Sequence, residues 1–382
     1  MPDKEQVDAR DRESASEEDP MAQREAEKLH QPDEVAPATK GFKFYGSVRV
    51  RNRTTGSANV WDDDGSRAGL NWQSTTKESH SWFAHAEYGF NIFSEVNRWL
   101  YPGGSPTDTS SSLFNRLAYV GYETPKSYFI VGKNWSTYYQ VASFTDRFDG
   151  TGGNASGAFN AGTDGGATGT GRADNLLQSR YQTGPLTRRL GIKPIKVNAQ
   201  VQYGNSIPGV ASEKYALGIG LSSVIQSRDD LAFGIAYNHS QLANPGAPAL
   251  TAAGIDGDTQ ALLLGARHIG KKWFLGTTLS RTMNLHTTDQ GVYFDGLGWE
   301  VYGNFQVTNK FWLVGGWNYL VPDTGETQAG EYRIRYGIVG LRYSLRGLDR
   351  TVYTELQYSD GRAADGSSFG NIFTVGLRWD LP

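Results

Sequence analysis

From Phe42 onward, apolar and polar residues alternate with period two in stretches of about ten residues, and turn-forming residues separate the stretches. Lys196 to Tyr203 is representative: Val197, Ala199, Val201 and Tyr203 share one face, and Asn198, Gln200 and Gln202 share the other. The last stretch repeats the pattern, with Phe373, Val375, Leu377, Trp379 and Leu381 against Thr374, Gly376, Arg378 and Asp380. Each reads as a strand with one greasy and one wet face. Sixteen such segments are predicted, at residues 42–54, 66–75, 79–93, 112–123, 127–135, 174–183, 194–204, 214–226, 230–242, 259–269, 272–286, 292–308, 310–321, 332–345, 350–359 and 369–381. An even count suits an antiparallel sheet whose two ends meet in a barrel.

The connections alternate in length. Those after the even-numbered segments are mostly short (Thr124-Pro125-Lys126, Ser227-Arg228-Asp229, Gly270-Lys271, Thr308-Asn309), whereas the others include 94–111, 136–173 and 243–258. Short turns at one end and long loops at the other are the asymmetry of outer-membrane barrels, and a soluble sandwich has no reason to show it. Aromatic residues cluster toward segment ends on the apolar face, at Trp82, Phe90, Tyr203, Tyr237, Trp273, Trp317, Tyr319, Tyr358 and Trp379, as amphipathic rings at a headgroup level do. Strands favour aromatics in any setting, so the distribution over all segments is the signal.

Composition agrees. The 382 residues hold 47 Gly and 47 aromatics, with no Cys, 38% hydrophobic residues and a mean hydropathy of −0.50. The longest apolar stretches, such as Ala261 to Gly265, fall far short of the roughly 18 to 20 residues of a membrane helix. Lack of Cys removes disulfides, thiolate metal sites and Cys nucleophiles. The net charge of −3 hides two segments. Residues 1–41 carry six Lys/Arg against twelve Asp/Glu and no aromatic, and the remainder, 31 basic against 28 acidic, is at +3. The first segment is too poor in large apolar residues to build a core, although Asp19-Pro20 opens a candidate short helix through His30. Its place before the first strand puts it on the periplasmic side, and deleting residues 1–38 is expected to leave the barrel folded. No signal peptide is visible after Met1, so either the protein is not exported or the sequence starts at the mature chain.

Five motifs carry a family resemblance. They are Phe42-Lys43-Phe44-Tyr45-Gly46-Ser47-Val48-Arg49-Val50, Ser66-Arg67-Ala68-Gly69, Asn115-Arg116-Leu117-Ala118-Tyr119-Val120-Gly121, Phe129-Ile130-Val131-Gly132-Lys133 and Gly171-Arg172-Ala173-Asp174-Asn175. In content and order the chain resembles the trimeric general-diffusion porins of Gram-negative outer membranes across residues 42–382, most strongly over the first six strands. It departs from them in ending Trp379-Asp380-Leu381-Pro382 where such porins usually end in Phe, and in its acidic extension. The resemblance implies a 16-stranded antiparallel transmembrane β-barrel, a homotrimer in contact with outer-membrane lipids and lipopolysaccharide, and passive diffusion of ions and small hydrophilic solutes without enzymatic activity or cofactor. It also implies that the third extracellular loop, 136–173, folds into the lumen and sets carboxylates against basic residues of the wall. Taken alone, the Gly-rich part of that loop is merely flexible.

Parity locates the wall charges. Arg49, Arg51 and Arg53 share a face with Tyr45 and Ser47, opposite Phe44, Val48 and Val50, and Arg67 lies opposite Ala68, Leu70 and Trp72. An arginine on the lipid face costs about 2 to 4 kcal/mol at the midplane, so all four are assigned to the lumen. Arg116 and Arg172 fall at family motif positions, with Lys133 beside them, and Asp146 and Asp149 in Phe144-Thr145-Asp146-Arg147-Phe148-Asp149-Gly150 supply opposing charge. Such a pair of charged walls orients solutes and tunes ion preference, and more arginines than loop acids implies weak anion preference. Alternatively, these arginines are solvated polar-face residues with no special role.

Other constellations are weaker. His85 and Glu87 share the lumen face without a third metal ligand, and Asp62-Asp63-Asp64 reads as a solvated loop tip before a site for Ca²⁺ or a lipopolysaccharide bridge. The six His suggest no hydrolase triad, and no basic face with stacking aromatics points to nucleic acid. Two other transport or barrel readings stay open. One is a substrate-specific, sugar-type porin, given Trp135, Tyr138, Tyr139, Phe144, Phe148 and Phe159; the other is a plugged barrel such as an adhesin.

Overall fold

The computed structural model describes residues 41–381, apart from 57, 76–79, 94–112, 185–186, 188, 190–192, 229 and 346–349. The acidic extension with its candidate helix, the connection at 94–111 and Pro382 lie outside the described residues. The strands are β1 (Gly41–Thr55), β2 (Ala58–Asp63), β3 (Arg67–Thr75), β4 (Ser81–Phe90), β5 (Leu113–Glu123), β6 (Ser127–Trp135), β7 (Arg172–Gln182), β8 (Lys196–Tyr203), β9 (Ser206–Ile207) and β10 (Val210–Gln226). They continue as β11 (Leu231–Leu242), β12 (Thr259–Ile269), β13 (Trp273–Thr287), β14 (Tyr293–Thr308), β15 (Phe311–Pro322), β16 (Ile334–Ser344), β17 (Arg350–Ser359) and β18 (Ile372–Leu381). Two staves are broken. β2 and β3 both run along β1, opposite its C-terminal and N-terminal halves, and β8 and β9 both run along β10. The eighteen segments therefore form sixteen antiparallel staves, closed where β1 pairs with β18 from Gly46↔Leu381 to Thr55↔Ile372.

The barrel is apolar outside and polar inside. In β8, Val197 and Tyr203 are 43% and 68% exposed while Asn198 and Gln200 are 1% and 3% exposed. The same inversion runs through Phe44 and Trp82, Val131, Leu264, Val339 and Phe373, all on the outer face. Exposed apolar area on this scale exceeds what a water-soluble surface carries. No helix among the described residues is long and apolar enough to cross a membrane.

One sequence reading needs correction. Residues 55–65 were expected to be a connection with Asp62-Asp63-Asp64 at its tip, but Ala58–Asp63 is strand. Arg51 pairs in register with Asp62, and both Arg51 and Arg53 bond that carboxylate, so cross-strand ion pairing holds Asp62 on the inner wall, with Asp64 also bonded by Arg51.

Residues 136–171 pack against inward-facing side chains of the wall. Val141 and Ala142 of the short helix α1 (Tyr139–Ala142), with Phe144 just beyond it, form a buried cluster with Ala236 of β11, Ala261 and Leu263 of β12 and Leu285 of β13. Glycines make room for this segment. A Cβ at Gly234 or Gly265 would stand 2.8 or 2.7 Å from Val141, and at Gly276, Gly298 or Gly316 it would fall on Phe144, Ala155 or Phe148. These glycines lie on five successive strands, β11 to β15.

Candidate functional site

Local irregularities in the strands aim several charged residues. Between β4 and β5 the pairing jumps from Glu87↔Leu117 to Tyr88↔Asn115, so Arg116 is an extra residue at a bulge, and it turns to Glu87. Between β6 and β7 the jump from Gly132↔Leu176 to Asn134↔Ala173 leaves Lys133 opposite Asp174-Asn175, with Gly132 at φ 136° and Asn175 at φ 49°. Bulges re-aim side chains in this way, and glycine at Gly132 accommodates a backbone most residues avoid.

Between this wall and residues 139–159 lies a cavity of about 370 Å³, room for roughly a dozen waters. Six guanidinium groups reach it: Arg49, Arg67, Arg116, Arg172 and Arg378 from the wall, and Arg147 from the facing segment. Three carboxylates do so as well, those of Asp64, Asp146 and Asp149, and Trp135, Tyr139, Phe148 and Phe159 add rings.

The partners differ. Glu87 accepts from Arg116 Nε at 2.7 Å and from the Tyr45 hydroxyl at 2.7 Å, and Arg67 Nε stands 3.6 Å away. Arg172 Nε lies 3.3 Å from Asp164, which also holds Lys133 Nζ at 3.0 Å. Arg378 pairs with Asp380 at 2.8 Å. Arg49 forms no ion pair with a carboxylate among the described residues, and Asp64 and Asp380 act on it only from farther off; its Nε donates to Ser47 Oγ at 2.9 Å. Arg49 and Arg378 also stand directly opposite each other where the barrel closes, a like-charge placement that costs stability. A wall built only for stability has no reason to keep it.

On the opposite side the Tyr139 hydroxyl donates to Asp146 Oδ2 at 2.6 Å, and burial holds the Asp146 carboxyl above its ordinary range. Asp149 accepts from Arg342 Nε at 2.6 Å in a buried pair. Glu355 of β17 accepts the N–H groups of Asp149 and Gly150 at 2.9 and 3.1 Å. Glu300 of β14 accepts those of Ala155 and Ser156 at 2.6 and 2.8 Å, and the Thr145 hydroxyl at 2.6 Å.

Of the residues singled out in the sequence, Arg49, Arg67, Arg116, Arg172, Asp146 and Asp149 meet at the cavity. Arg51 and Lys133 are turned to carboxylates. Arg51 bonds Asp62, Asp64 and the Gly150 carbonyl, and Lys133 bonds Asp164 and Asp174. His85 is sandwiched between Tyr45 and Tyr119, and no cluster among the described residues is placed to hold a metal ion. Sequence reasoning missed Arg147, Arg378 and Asp64. Arg378 stood on the wet face of the last strand, but its register against Arg49 was needed to place it here.

The architecture is that of a porin-type β-barrel. No protein-family model matches the chain, and no curated protein matches its sequence. Solved structures do match in fold. Salmonella typhi OmpF, solved in complex with daunomycin, superposes with a TM-score of 0.70 at 17% identity, covering 89% of this chain and 97% of that one. The outer membrane channel DcaP of Acinetobacter baumannii gives 0.64 at 12% identity, covering 90% and 100%. An anion-selective porin from Comamonas acidovorans gives 0.63 at 14%, covering 89% and 99%. At these identities the likeness is one of fold: the chain adopts the sixteen-stranded porin barrel.

Proposed function

We propose that the protein is an outer-membrane porin, a water-filled channel through which ions and small hydrophilic solutes diffuse down their gradients, assembled as a homotrimer among outer-membrane lipids and lipopolysaccharide. In this reading residues 136–171 are the inward-folded third loop, and the cavity is the constriction. Arg49, Arg67, Arg116 and Arg172 form its basic wall, and Asp146 and Asp149 carry the opposing charge. Arg51 and Lys133 act as struts, Arg51 by holding the Gly150 carbonyl. The observation that carries the reading is the lining of the cavity, six guanidinium groups against three carboxylates between a polar wall and a tethered segment. Glu87, Asp164 and Asp380 offset four of these guanidinium groups from behind the lining, so a water-filled gap with this lining between low-dielectric walls gives a weak anion preference.

The test is conductance of the purified protein in a planar lipid bilayer. Stable steps in groups of three are expected. Folded protein that carries no current would favour a plugged barrel and overturn the reading.

A further inference from the structure

The cavity is apolar on one flank as well as basic. Trp135 at the end of β6 stacks on Tyr139 with ring centroids 3.9 Å apart and planes 18° from parallel. Phe159 closes the group at 6.4 Å from Trp135 and 6.1 Å from Tyr139. Trp135 and Phe159 are only partly buried and both border the cavity, and Arg172 places its guanidinium 5.6 Å from the centre of the Trp135 ring. A filter for small inorganic anions has no use for such a shelf, because rings exposed in an aqueous gap are hydrated at a cost that only an apolar partner relieves.

We propose that the constriction selects aromatic carboxylates over aliphatic carboxylates of the same charge, an inference that rests on the channel reading above. Carboxylate oxygens match the planar fork of a guanidinium, and Arg49, which forms no ion pair with a carboxylate among the described residues and donates its Nε to Ser47 Oγ, is the available partner on the wall. A flat ring on the same solute stacks on the Trp135–Phe159 flank. A cavity of about 370 Å³ lies at the small end of the range for small-molecule sites, which suits a single ring with its carboxylate. Sugars, uncharged and rich in hydroxyls, leave the arginines unpaired and are disfavoured.

The full-length protein in planar bilayers tests this, with benzoate and acetate as probes of chloride current. Benzoate is expected to block transiently at concentrations roughly 2- to 12-fold below those at which acetate does, the range that one aromatic pair supplies. The preference is expected to shrink toward unity in Trp135→Ala/Phe159→Ala and to persist in part in Phe159→Leu, the milder variant. Equal block by benzoate and acetate in the unmodified protein overturns the proposal without recourse to any variant, as does a preference that survives loss of both rings. Absence of chloride current from folded protein overturns the channel reading beneath it, so the two failures are distinguishable.

Discussion

Glu300 and Glu355 are carboxylates of the wall that each accept three hydrogen bonds from residues 136–171, and Glu300 is the more fully buried. It is 1% exposed and accepts three hydrogen bonds, from the backbone N–H groups of Ala155 and Ser156 and from the Thr145 hydroxyl. Glu300→Leu removes every acceptor. Each buried donor left without a partner costs about 1 to 3 kcal/mol, and the Thr145 hydroxyl has a substitute in Thr278 Oγ1 at 3.1 Å. The two stranded N–H groups then set the cost at about 2 to 6 kcal/mol. At about 3 kcal/mol the ratio of docked to released segment falls by about two decades. Glu300→Gln behaves differently, because its amide oxygen still accepts the two N–H groups and its NH₂ donates to Thr145 Oγ1. It also removes the desolvation cost of a buried carboxylate, so its net effect is small. Single-channel recording combined with limited proteolysis reads both variants. Glu300→Leu is expected to give larger, noisier currents and cleavage within 150–171, and Glu300→Gln to match the unmodified protein. Unchanged conductance and protease resistance in Glu300→Leu would refute the tether.

Four further outcomes follow from the same geometry. Arg49→Gln moves the reversal potential toward the cation side while leaving stability equal or raised by about 0.2 to 1 kcal/mol, because it relieves the pairing with Arg378; a lowered urea midpoint contradicts the assignment. Arg342→Met strips the buried Asp149 carboxylate of its guanidinium, at a cost of about 3 to 5 kcal/mol, visible as a lower thermal midpoint. For Asp146, whose carboxyl burial holds above its ordinary range, the folded protein gains this proton before the unfolded chain does as pH falls. The stability it contributes therefore grows, and the cavity loses a negative charge, between the raised value and the ordinary aspartate value. Anion preference should rise on mild acidification, and a rise of equal size in Asp146→Asn would count against this site. Gly276→Ala puts a methyl on the Phe144 carbonyl, whereas the same change at Gly303 meets nothing closer than 3.5 Å, so only the first should alter conductance.

The strands were legible because period-two alternation is a local property, and a barrel with lipid on one side and water on the other sharpens it. Ala58–Asp63 escaped notice because its alternation is blurred, with Val60 opposite Arg53 and Asp63 opposite Val50, and because its stave is interrupted before Arg67. The arginines on β1 and β3 were legible for a related reason, since the cost of a lipid-facing guanidinium fixes the face from sequence alone. Register was not legible. Nothing local says that Arg378 stands opposite Arg49, or that the bulge at Arg116 turns it onto Glu87. The struts were hidden for the same reason: Arg51 and Lys133 share the face of the lining residues but meet carboxylates supplied by distant segments. The wall glycines carried a signal that went unused. Inward Gly at 234, 265, 276, 298 and 316 on successive strands marks where another segment comes close.

The chain lacks cysteine, so one engineered thiol probes the constriction without background. Phe159→Cys places it on the flank of the cavity that faces the arginines. Single-channel current is followed while a negatively charged and then a positively charged methanethiosulfonate reagent of similar size is applied. Modification is expected to lower the conductance stepwise, and the negative reagent is expected to react faster, because the field of the guanidinium groups concentrates anions there. Complete modification of the thiol with no change in current, or faster reaction with the positive reagent, would contradict a pore constricted between residues 136–171 and the arginine wall.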